Sequence, residues 1–153
     1  MSKFNFFNLS LFILLIIFQT SLAAQTPVVS KKVLIHAEDG WQDSGVKLKV
    51  GQFYSIEARG SWVSGYDVPL LGPEGEGDGT ITNGALLGMI ADKQPAILGY
   101  KSYTREIVSR IIYVARGGLF KSNGNGSLWF CMGEWSECKQ CSGYMEVLIT
   151  IFD

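Results

Sequence analysis

The chain has 153 residues, enough for one domain with a genuine core and few for more than one. Thirteen basic residues stand against fourteen acidic ones, a net charge of −1 with no basic block, which excludes phosphate-backbone binding and with it nucleic acid as a partner. Eighteen glycines without a period, well above the usual share of ~7%, call for many tight turns and an all-β chain.

In chain order, Lys3 precedes an unbroken apolar run, Leu11 to Phe18, too short to span a bilayer. Ser21-Leu22-Ala23 fits a small-x-small cleavage site. Residues 1–23 therefore read as a signal peptide, with the mature chain starting at Ala24 or Gln25 and located outside the cytoplasm, secreted or periplasmic. No later segment is apolar for long enough to cross a membrane as a helix. Residues 24–31 read as a lead-in and 32–153 as one β-sandwich domain.

The first strand is expected over Val33–Ala37. Next, Val46, Leu48 and Val50 alternate with Lys47 and Lys49, and Tyr54, Ile56 and Ala58 alternate with Ser55, Glu57 and Arg59. Period-two alternation marks strands with one wet and one buried face. Gly45, Gly51 and Gly60 are placed where these strands turn. Residues 63–83 read as a long acidic loop that does not pack. Strands follow at Ala85–Ala91, Ala96–Gly99 and Ile107–Ala115, the last favoured as β by its Ile, Val and Tyr. Asn123-Gly124-Asn125-Gly126 reads as a hairpin turn between Gly118–Phe120 and Ser127–Met132. Tyr144–Phe152 closes the domain.

Catalysis finds little here. His36, the single histidine, falls mid-strand and reads as a satisfied structural residue, and no nucleophile elbow, zinc-protease helix motif or phosphate loop is present. The sequence predicts no enzyme. Glu74, Glu76 and Asp78 alternate with glycines and could converge on calcium, which takes six to eight oxygens, but no recognised calcium-loop spacing is present and a solvated acidic loop is the better reading. Cys131, Cys138 and Cys141 cluster late in the chain. An oxidising compartment favours one disulfide, Cys138–Cys141 first, with Cys131–Cys138 and Cys131–Cys141 open. Three thiolates with His36 match no common zinc spacing. Trp135 lies in a loop, where an aromatic ring can stack on a sugar face. Trp41, Trp62 and Trp129 fall at strands or strand ends and read as structural.

The order of parts resembles one family. Trp41 to Trp62 (W-Q-D-S-G-V-K-L-K-V-G-Q-F-Y-S-I-E-A-R-G-S-W), then Gly72-Pro73-Glu74-Gly75, Ala85-Leu86-Leu87-Gly88, Gly118-Leu119-Phe120 and Ser142-Gly143 follow the pattern of the calcium-dependent galactophilic lectins of bacteria, the PA-I or LecA-like family. The resemblance covers residues 33 to 152. It implies a galactose-binding-like β-sandwich of jelly-roll type, with about eight or nine short strands.

It also implies a calcium site, and here the sequence departs. The family's Asn-Asp pair reads Gly133-Glu134 and its Asn-Asn pair Gln140-Cys141, while Tyr66 lies one residue from the tyrosine position. Glu134 and Gln140 are the remaining candidate metal ligands, with Glu74, Glu76 and Asp78 in the earlier loop. No cofactor is expected, calcium being the one candidate. The function expected is non-catalytic binding of carbohydrate or glycoconjugate, not strictly calcium-dependent, through Tyr66, Asp67, Glu134, Trp135 and Gln140. A structural or protein-interaction domain that has lost sugar binding is the alternative. Oligomeric state is left open.

Overall fold

The computed structural model describes residues 27–65, 69–76, 84–96, 109–133 and 140–153. The signal peptide, the start at Ala24 or Gln25, and most of the strand expected at Ala96–Gly99 lie outside the described residues.

Eight strands and no helix make up the described chain: β1 (Pro27–His36), β2 (Gln42–Leu48), β3 (Phe53–Val63), β4 (Leu86–Ala91), β5 (Ile112–Tyr113), β6 (Gly117–Lys121), β7 (Gly126–Met132) and β8 (Ser142–Phe152). They form two antiparallel four-stranded sheets, ordered β1-β8-β3-β6 and β2-β7-β4-β5. Every connection except β4–β5 changes sheet. The all-β sandwich expected from the sequence is the fold.

The core follows from the alternation. Tyr54, Ile56, Ala58 and Trp62 of β3 and Met145, Val147, Ile149 and Ile151 of β8 point inward and meet Val46, Leu48, Leu86, Ile90, Leu128, Phe130 and Met132 from the facing sheet. Tyr54 stacks on Phe120 with centroids 5.5 Å apart, and burial pushes its phenol up to about 12. β4 is buried on both faces. Its outward Leu87 and Met89 join Trp41, Ala85 and Cys131 in a second apolar cluster, with Trp129 packed against it. Trp41 and Trp62 are buried, and the Trp129 indole N–H donates to the Ala91 carbonyl at 3.1 Å.

Several details differ from the sequence reading. β1 begins at Pro27, so residues 27–31 belong to a strand and not to a lead-in. Its backbone pairs with β8 from Pro27 opposite Phe152 to His36 opposite Tyr144. Val28 and Val29 remain about half exposed on this edge strand, so no buried periodicity marks it. Gly45 lies inside β2, not at its end. It adopts φ +67° where the register shifts between Asp43 and Lys47, a bulge that keeps Ser44, Val46 and Leu48 all facing inward. Gly60 lies inside β3 at φ +127°, where a Cβ would meet the Tyr144 carbonyl oxygen at 2.5 Å. Val50 falls in the β2–β3 turn and is exposed. β5 contracts to two residues because Ser109 and Arg110 form a turn before it and Ala115, at φ 48°, ends the extended run.

The N-G-N-G segment is not a hairpin. β6 pairs with β3 in one sheet, and β7 pairs with β2 and β4 in the other. The turn therefore carries the chain between sheets. It docks on the β2–β3 turn: Gly51 N–H donates to the Ser122 carbonyl and Ser122 N–H to that of Gln52, both at 2.8 Å. Val50 N–H donates to Asn125 Oδ1 at 3.0 Å.

Candidate functional site

Strand direction fixes which loops meet. His36 lies opposite Tyr144 and Val63 opposite Ser142 in one sheet; Gln42 lies opposite Phe130 and Leu86 opposite Met132 in the other. The β1–β2, β3–β4 and β7–β8 connections therefore leave from the same end of the sandwich. Their bases are hydrogen-bonded together. Gly84 N–H donates to the Gly133 carbonyl at 2.9 Å, Gly133 N–H to the Ala85 carbonyl at 2.7 Å, and Ala37 N–H to the Gly143 carbonyl at 3.1 Å. The Trp62 indole, wholly buried, donates to the Gly84 carbonyl at 2.7 Å. This one tryptophan thus links β3 to the far base of the β3–β4 loop.

Of the residues expected to act, Tyr66, Asp67, Asp78, Glu134, Trp135 and Cys138 lie outside the described residues. Gln140 is exposed, and Glu76 is exposed beside Gly75. Cys141, by contrast, is 7% exposed and belongs to the main core. Of the positions matching the family's calcium pairs, Gly133 has no side chain, Cys141 turns inward and Gln140 carries one neutral carbonyl, while Glu134 lies outside the described residues. Among the described residues no group of three or more His, Cys, Asp or Glu could hold a metal.

The early loop corrects the expectation that residues 63–83 do not pack. Leu71 is buried in the core, and Trp62 and Leu71 exchange backbone hydrogen bonds at 3.0 and 2.9 Å. The Pro73 carbonyl then accepts from Leu86 N–H at 2.8 Å, so this segment straps one sheet to the other. Glu74 is held from two sides. Tyr113 O–H donates to its backbone carbonyl at 2.8 Å, and Arg116 Nη2 donates to its Oε1 at 2.7 Å. Its carboxyl lies below the usual carboxylate range, first through its own backbone N–H and then through the Arg116 hydrogen bond. This ion pair gives Glu74 a structural partner within the strap.

Among the cysteines, Cys131 is a free thiol, buried, and driven above its ordinary range by desolvation. It is therefore unreactive, and the two pairings that use it are absent. Cys141 is not a free thiol. His36 is half-buried, with its ring centroid 6.1 Å from that of Tyr144. Its backbone N–H and carbonyl are both satisfied by the Gln42 side chain, at 2.9 and 2.8 Å.

The sequence reading missed a second feature, on the outer face of the β1-β8-β3-β6 sheet. Glu57 and Arg59 of β3 lie opposite Leu148 and Glu146 of β8. With Ala58 and Arg116 they line a shallow hollow of about 270 Å³. Glu146 Oε1 accepts from Arg59 Nε at 2.8 Å and pairs with Lys32 Nζ at 3.1 Å. Hydrogen bonds from Lys32 and then Arg59 hold its carboxyl below the usual range. Exposed pairs of this kind add little to stability, so their main consequence is to orient the guanidinium. The signal lay in the alternation of Glu57 and Arg59, but it becomes legible only once β3 is set in register against β8.

No protein-family model matches the chain, and no curated protein matches it. Eight chains of solved structures do match. One is the N-terminal domain of EclA, a PllA-like lectin, at TM-score 0.55 and 19% identity, covering 82% of this chain and 97% of that one. At that identity the likeness is one of fold: this chain is built as a lectin-like two-sheet sandwich.

Proposed function

We propose that this protein binds carbohydrate without catalysis, through the loops at the β3–β4 and β7–β8 end. The observation that carries this reading is the fold shared with a PllA-like lectin domain over nearly all of that domain's length. The joined loop bases support it, since Gly84 and Gly133 bring the two loops holding Tyr66, Asp67, Trp135 and Gln140 out side by side. Within this reading, Trp135 stacks on the sugar and Asp67, Glu134 and Gln140 supply hydrogen bonds. Such an aromatic contact adds ~0.5–1.5 kcal/mol beyond its area burial. That gives roughly millimolar affinity per site, near −4 kcal/mol.

Binding of this kind does not depend strictly on calcium, because Gly133 and the buried Cys141 leave the family's metal positions short of oxygens. The resemblance to LecA-like lectins, export through residues 1–23 and a Cys138–Cys141 disulfide belong to the same proposal. The pairing is supported by Cys131 being free and Cys141 not. Alkylation of exported, unreduced, denatured protein then labels Cys131 alone, whereas three labelled cysteines contradict the pairing.

A glycan array run with and without a chelator tests the function. Weak binding that survives chelation supports it. Tight galactose binding abolished by the chelator shows that Glu134 and Gln140 complete a metal site after all. Silence under both conditions overturns sugar binding and favours a protein-interaction domain.

A further inference from the structure

We infer that the hollow on the outer face of the β1-β8-β3-β6 sheet is a second binding site, for a single neutral sugar ring. It lies on the flat of the sheet and uses none of the loop-end residues, but it shares the ligand class of the function proposed above.

Three observations converge on it. The first is the edge of the hollow: the residue opposite Glu57 on β6 is Gly117, so that strand sets no side chain beside Glu57. The second is the donor and acceptor set. Arg59 and Arg116 each already hold a carboxylate, Glu146 and Glu74, at 2.8 and 2.7 Å. Both guanidinium groups are thereby oriented in advance and neutralised, which lowers the ordering cost of binding. Glu57, by contrast, has no ion-pair partner among the described residues. Its carboxylate can accept from two neighbouring hydroxyls, while the remaining guanidinium N–H groups donate to ring and hydroxyl oxygens. The third is the Leu148 side chain, which lies beside Glu57 in the same hollow and offers an aliphatic surface to the C–H face of a sugar.

The charge balance chooses the class. An anion would face Glu57 and compete with Glu146 and Glu74 for their arginines. A cation would face Arg59, Arg116 and Lys32. A polyol brings donors and acceptors in equal supply and no net charge. At about 270 Å³, the hollow falls just under the ~300–1,000 Å³ of pockets for drug-sized ligands, which fits one ring and not an oligosaccharide.

The test is a titration of isotope-labelled protein with methyl β-galactopyranoside, methyl α-mannopyranoside and sodium glucuronate, followed through backbone amide shifts. The expected result is saturable shifts at Glu57–Arg59, Arg116–Gly118 and Glu146–Leu148 with at least one neutral glycoside, unchanged in roughly 0.5 M salt, where the Debye length shrinks to ~4 Å. They should persist in Trp135→Ala and weaken at least roughly tenfold, near 1.4 kcal/mol, in Glu57→Ala. Arg59→Gln provides a second variant should Glu57→Ala perturb the sheet. Shifts confined to the loop end overturn this site while leaving the loop-end reading intact. Preference for glucuronate over both neutral glycosides overturns it as well, as does saturable binding that neither variant weakens.

Discussion

The two ends of the sandwich are finished differently. At one end the β2–β3 and β6–β7 turns are short and close on each other through Gly51–Ser122, Ser122–Gln52 and Val50–Asn125 hydrogen bonds of 2.8, 2.8 and 3.0 Å. Their polar groups are used up in holding the two sheets in register. At the other end, residues 64–85 and 133–141 are joined at their bases, where Gly84, Ala85 and Gly133 hydrogen-bond. A rigid base beneath long connections is the arrangement in which loops carry binding, because the scaffold positions them without dictating their sequence. The β4–β5 connection, residues 92–111, also leaves from the first end. The contrast between the closed turns and the joined loop bases is the ground on which recognition is proposed for the second.

The largest effect is expected from Trp62→Ala. The indole is wholly buried, pairs through its backbone with Leu71 and donates to Gly84. Removal should cost ~3–5 kcal/mol in a denaturant titration, and it should loosen the base of the recognition end as well as the core. Stability within ~1 kcal/mol of wild type would show that this residue does not tie the core to the base of that end.

Asn125→Ala sharpens the contrast from the opposite side. It deletes the acceptor for Val50 N–H at the closed end and should cost ~0.5–1.5 kcal/mol with no change in glycan affinity. A loss of affinity larger than the loss of stability would break the division of labour.

The smallest effect is acid lability. Glu74 and Glu146 both have folded pKa values below the ordinary 4.5. Their contribution is complete above that ordinary value and is lost as pH falls through the depressed folded values. The Glu146 and Glu74 side chains are 28% and 35% exposed, so the decline in melting temperature below about pH 4.5 should be shallow, and it should flatten further in Glu146→Gln. An unchanged decline in that variant would show that the sheet-face pairs contribute nothing.

How much the sequence disclosed depended on burial. Tyr54, Ile56 and Ala58, and the alternation that ends in Ile149 and Ile151, announced β3 and β8 because one face of each is inside. The first half of β1 is exposed on both faces and is held by backbone pairing with β8 and a Ser30–Thr150 hydroxyl hydrogen bond, so Val28 and Val29 gave no period to read. Asn123 to Gly126 carried genuine turn chemistry, but turn chemistry does not encode which sheet the next strand joins. The acidic glycines around Glu74 concealed a packed segment, because Leu71 and Pro73 act through long-range contacts with Trp62 and Leu86. The candidate loops were legible as loops. That they leave from one end required the strand register, as did the meeting of Arg59 with Glu146.

The central claim, that the joined-loop end recognises carbohydrate, is tested most directly by mapping amide shifts with the strongest glycan from the array on wild-type protein and on Trp135→Ala. The account predicts saturable shifts at Ala37, Gly84, Gly133 and Gln140–Gly143 in wild type, unaffected by a chelator and lost in Trp135→Ala without change in unfolding temperature. Shifts centred on Val50–Gln52 and Ser122–Gly126, or loop-end shifts that persist in Trp135→Ala, would contradict it.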